Sequence, residues 1–224
     1  MCQSREGEDT CQTLAGTLGI GRARSSIRSE QRTHNPLVAG SSPAGPTPMS
    51  IRPFYGQWPQ YNQRLIDVVV EMSPEQLALR PDVTRAPVWA IVAHIAGARV
   101  YWLCGVLGEP GAETTPFPDP HGDGWEDDED QPRDAPELVT ALGTTWRIVD
   151  DCLERWTPEM LTETFERMRL GAPQTHSRTS VLQRLFSHDA YHCGELSQTL
   201  GVAGLRQIDL WGPEGLVREP GQYG

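Results

Sequence analysis

There is no lysine in this chain: all 19 basic residues are arginine, and 30 acidic residues bring the net charge to −11 over 224 residues. So acidic a surface repels phosphate backbones and anionic lipid, which argues against nucleic acid and membrane surfaces as partners. Cysteine is scarce and scattered. The five cysteines, at 2, 11, 104, 152 and 193, form no CxxC pair, and an odd, widely spaced set is not a disulfide framework. A reducing cytoplasm is the expected compartment. The acidic N-terminus carries no apolar leader, and no run is read as reaching the roughly 18 apolar residues of a membrane span. With 38% hydrophobic and 22% charged residues, the chain can form one globular domain with a core, or one domain plus a tail.

Residues 1–48 lack helical or strand periodicity and close on Gly40-Ser41-Ser42-Pro43-Ala44-Gly45-Pro46-Thr47-Pro48, a composition that cannot bury enough surface to fold. They are expected to be a disordered tail. Residues 31–47 are similar to the peptide produced when a bacterial tRNA gene is translated by mistake, which makes Met49 the expected genuine start. The folded domain is expected over 49–211, with a loose tail over 212–224. From Met49 onward, 14 arginines face 26 acidic residues.

The rest reads as helix. Phe54, Trp58, Tyr61, Leu65, Val68, Val69 and Met72 recur at three- and four-residue steps, predicting a first helix over about 53–71. Ser73-Pro74-Glu75-Gln76 is a capping box with proline at the first helical position, so a short turn should run to about Leu79. A second long helix is expected over 87–107 and a third from a capping box at Asp134 to about Trp156. Between them, 109–133 is rich in proline, glycine and acid, a surface segment or a lid over a site. Its acid run has no DxDG order, so an EF-hand is rejected. Leu161 to Ser177 reads as a connection, a last helix follows over 179–200, and Gly201 stands where a left-handed cap belongs. Four long helices without a convincing strand make an all-α, four-helix bundle the expected fold.

The last helix carries the chemistry. Val181, Leu185, His188, His192, Leu196 and Thr199 share its inward face, so His188 and His192 stand one turn apart where a bundle would place Leu or Ile. Buried imidazoles need partners. Backbone or neighbouring polar groups could satisfy two core histidines, whereas a third ligand would favour a shared metal, and His94 on the apolar second helix is the candidate. His188-Asp189-Ala190-Tyr191-His192 is one methylene from HExxH, but Asp is shorter than Glu and no histidine follows, which disfavours a zinc protease. Cys193 lacks an activating partner and reads as a packed small residue. Asp189 and Glu195 could orient the imidazoles or be solvated. His121 and His176 read as surface residues.

Trp89-Ala90-Ile91-Val92-Ala93-His94-Ile95-Ala96, followed by Tyr101-Trp102 and by His188-Asp189-Ala190-Tyr191-His192-Cys193-Gly194-Glu195-Leu196, resembles the DinB superfamily of bacterial four-helix metalloproteins. The resemblance implies a three-ligand site of His94, His188 and His192, a divalent transition metal (zinc first, nickel or iron as alternatives), and a homodimer. It also implies a thiol S-transferase acting on small electrophiles with a low-molecular-weight thiol. A hydrolase using metal-bound hydroxide and a non-catalytic metal-binding stress-response bundle are the alternatives. Many relatives have His-Arg-Gly-Gln where this chain has His192-Cys193-Gly194-Glu195, which changes the charge beside the site.

Overall fold

The protein is described by a computed structural model over residues 49–212, so the expectations for 1–48 and 213–224 lie outside the described residues. Within them the domain is mostly helical. A 3-10 turn, Arg52–Tyr55, precedes α1 (Trp58–Val69), so the expected first helix starts later than its periodicity suggested. Phe54, expected on its apolar face, is exposed. The short α2 (Pro74–Leu77) starts on the full capping box at Ser73, both arms of which are made. The long helices α3 (Val88–Val100), α4 (Ala135–Arg155) and α5 (Arg178–Val202) follow, and α3 continues as a π-helical segment, Tyr101–Val106.

Two expectations are corrected here. The connection read over 161–177 contains an antiparallel hairpin, β1 (Thr164–Arg169) paired with β2 (Ala172–Ser177), so the described chain is not purely helical. Leu170 and Gly171 turn it with φ of 52° and 80°, the positive pair of a tight hairpin turn. Gly201 is not the cap of α5. The helix runs past it, and Gly204, at φ 72°, takes the left-handed position.

Val88–Val106 is also long and apolar enough to cross a membrane by length and composition, contrary to the expectation from sequence. Its burial explains the composition without a membrane, since 78% of it lies inside the domain. Helix α3 packs against α4 on one side and α5 on the other, so apolar residues are needed all round it. One charge in it is answered. Buried Arg99 donates to Asp189 of α5 (2.8 Å), Asn62 of α1 (2.8 Å) and the Leu142 carbonyl of α4 (3.4 Å), and Trp58 of α1 donates to the same Asp189 oxygen at 2.9 Å. A second buried carboxylate, Glu109, receives Arg155 and Trp156 from the end of α4 and Arg178 from the start of α5. Polar networks of this kind are costly to leave half-made, so they fix which helix faces which.

The 109–133 segment is pinned to α3. Phe117 is buried, Trp125 packs on it with ring centroids 5.1 Å apart, and the Arg133 guanidinium lies 4.5 Å from the Trp125 ring centroid. A 3-10 turn, Trp125–Asp127, consequently lies against α3. Asp127 to Asp130 point to solvent, as an acid run should.

Candidate metal centre

His94 lies midway along α3, and His188 and His192 lie one turn apart on α5. Because the two helices pack together, the three imidazoles meet, and one ligand atom from each lies within 4.8 Å of the others. The ring centroids are 4.8 Å apart for His94 and His188, 5.1 Å for His94 and His192, and 4.4 Å for His188 and His192.

Two carboxylates decide which nitrogens face inward. Glu126 Oε1 lies 2.7 Å from His94 Nδ1, and Glu195 Oε2 lies 2.9 Å from His192 Nδ1. Each holds a proton on Nδ1, which leaves Nε2 as the atom with a lone pair; this is how outer carboxylates prepare imidazoles for a metal. Glu195 is the orienting acceptor that the sequence left undecided. Glu126 comes from the acidic run, and its role depends on the loop folding back onto α3. Gly124 makes that approach possible, since a Cβ there would collide with the Glu126 carboxylate. Asp189 has a different duty, in the buried pair with Arg99.

His94 Nε2 and His188 Nε2 face each other at 2.9 Å. Two lone pairs cannot sit that close. Either one nitrogen carries a proton or both bind a cation, and two nitrogens about 2.1 Å from one ion, at octahedral to tetrahedral angles, are themselves about 3.0–3.4 Å apart. The residues therefore fit a three-imidazole metal site, with a side-chain rotation closing the widest separation. His188 Nδ1 is buried and has no hydrogen-bond partner among the described residues.

Protonation follows the same geometry. Burial, reinforced by His192 and His94, pushes His188 down to about 3. His192 is also lowered, mainly by burial, against the upward pull of Glu195. His94 is raised, chiefly by its bond to Glu126. In metal-free protein, His188 and His192 thus take up protons on unfolding below pH about 6.5, and their contribution to stability is lost as pH falls from there, for His188 down to about 3. His94 opposes them, since its contribution is present below 6.5 and lost as pH rises through its folded value. The expected result is that chelated protein loses stability on acidification, at up to about 1.4 kcal/mol per pH unit for each proton taken up. Urea unfolding of wild type and His188→Leu at pH 7, 5 and 4 checks this. An unchanged pH slope in the variant would remove His188 from the explanation.

The other sequence candidates lie elsewhere. Cys193 is buried, with its thiol pushed up to about 12 by burial, which excludes a ready nucleophile and agrees with the packed reading. His121 is exposed, as expected. His176 is not a free surface residue: it is partly covered, with its ring edge-on to Trp102 at 5.0 Å.

A cleft of about 520 Å³ opens beside His94 and His188, between α3, the acidic loop, the hairpin and α5. The sequence did not foreshadow its arginines: Arg167 and Arg169 stand on a hairpin that was read as a connection, and Arg184 of α5 is drawn in only where that hairpin packs.

Compared with known proteins, the chain matches the DinB superfamily over residues 57–196. Among solved structures it is similar to a DinB-like protein from Bacillus cereus ATCC 10987, with a TM-score of 0.54 and 18% identity over 71% of this chain and 96% of that one. That likeness is one of fold. No protein of curated function matches.

Proposed function

Because the chain belongs to the DinB superfamily, we propose that α1, α3, α4 and α5 form its four-helix bundle and that His94, His188 and His192 hold one divalent transition ion for thiol S-transfer to small electrophiles. The observation that carries this reading is the convergence of three imidazoles, two of which have their tautomers set by Glu126 and Glu195. When bound, such an ion favours the deprotonated form of a thiol or a water molecule, and borderline ions such as zinc, nickel or iron accept both nitrogen and sulfur. The protein's own part is to hold the Nδ1 protons of His94 and His192 in hydrogen bonds to Glu126 and Glu195, hold His188 neutral, and present the cleft to a small molecule. Placing the histidines on two packed helices rather than on loops gives that geometry rigidity.

The test uses cobalt-substituted protein titrated with bacillithiol, mycothiol and glutathione. A sulfur-to-metal charge-transfer band that saturates with at least one of them is expected. If all three fail while metal analysis shows the site occupied, the transferase reading falls.

A further inference from the structure

The cleft beside the histidines has an electrostatic feature that the metal reading does not use. In a chain with an excess of acid, Arg167 of β1 and Arg184 of α5 crowd one indole: their guanidinium carbons lie 4.4 and 4.6 Å from the Trp102 ring centroid. Among the described residues neither has a carboxylate within ion-pair distance. Arg167 is instead held by neutral acceptors, donating to Tyr101 Oη at 2.7 Å and to Gln174 Oε1 at 2.9 and 3.2 Å. Two like charges are thus gathered without a direct ion pair, stacked on one indole, in a cleft whose lining also carries Asp119, Asp123, Glu126 and Asp127. A guanidinium fork is also the group best shaped for a two-oxygen acceptor.

We propose that Arg167 and Arg184 bind an oxyanion, such as a carboxylate, of the small molecule that occupies this cleft. Arg184 precedes His188 by four residues, so it stands one helical turn, about 5–6 Å, along the same face of α5. A ligand whose sulfur reaches the three histidines therefore carries its oxyanion only a few bonds away. This specificity rests on the thiol reading above for the identity of the reacting end, but the arginine site itself does not need it.

Two matched thiols and one sulfur-free acid separate these claims. The cobalt protein is titrated with 3-mercaptopropionate and with 3-mercapto-1-propanol, and succinate binding is followed by calorimetry at low salt. The carboxylate thiol should bind about tenfold tighter than the alcohol. That preference, and succinate binding, should disappear in Arg184→Gln and weaken in Arg167→Gln, while the affinity for the neutral thiol stays constant. Equal affinity for the two thiols, or succinate binding that survives both substitutions, overturns the oxyanion site and leaves the thiol reading standing. Succinate binding that depends on Arg184, with no charge-transfer band from either thiol on occupied metal, supports the oxyanion site and sinks the thiol reading instead.

Discussion

Replacing Asp189 by alanine is expected to destabilise the domain by about 3–5 kcal/mol, the range seen when one partner of a buried ion pair is removed. The reason is what stays behind. Arg99 is 1% exposed in the last turn of the most apolar helix, and without Asp189 its charge keeps only Asn62 and the Leu142 carbonyl as acceptors, while the Trp58 indole N–H loses its partner outright. For a domain of this size the midpoint of thermal unfolding should fall by about 6–20 °C. Asp189→Asn, which keeps an acceptor oxygen but not the charge, should cost less. Replacing both partners by apolar residues, as Arg99→Met with Asp189→Leu, should recover much of the loss, because the ion pair costs desolvation that the apolar pair does not. Urea unfolding of the four proteins checks the series. A single Asp189→Ala cost below about 1 kcal/mol would mean that water or a shifted helix takes over the role of the carboxylate.

That network also shows where the sequence stopped being readable. Ser73 and Asp134 announced helix starts because a capping box is local: side chain and backbone partner lie three residues apart. His188 and His192 were legible for the same reason, one helical turn being visible in the spacing. Asp189 sits between them and was read only as an orienting acceptor or a solvated acid, since its meaning depends on Arg99, 90 residues away on another helix. Glu126 was hidden similarly in a run of carboxylates that is otherwise solvated. The hairpin was missed because its inward positions are Phe165 and Arg167, so the two-residue alternation of an amphipathic strand is broken by a guanidinium stacked on Trp102. Leu170 at positive φ gave no warning either, as only the Gly171 beside it is a turn residue by type. What remained legible was periodicity and capping; what was lost were the charges whose partners come from elsewhere in the fold.

His188→Ala should reduce metal content from about one ion per chain to background, whereas Glu126→Gln should keep the ion but bind it about 10–100-fold more weakly. The two variants separate ligand from support. His188 contributes the nitrogen that faces His94 at 2.9 Å, and its loss leaves two imidazoles from different helices, too few for a stable site. Glu126 touches no ion in this reading; it acts through the proton on His94 Nδ1, making the opposite nitrogen a better donor. A glutamine oxygen can still accept that proton's hydrogen bond, so the ring stays oriented while the charge that strengthens it is gone. Metal analysis of protein purified without a nickel column gives the stoichiometry, competition with a chromophoric chelator gives the affinity, and far-UV circular dichroism confirms that the helices persist. One ion per chain retained by a folded His188→Ala would end the three-histidine assignment. Unchanged affinity in Glu126→Gln would detach the acidic loop from the metal centre and leave Glu195 as the orienting carboxylate.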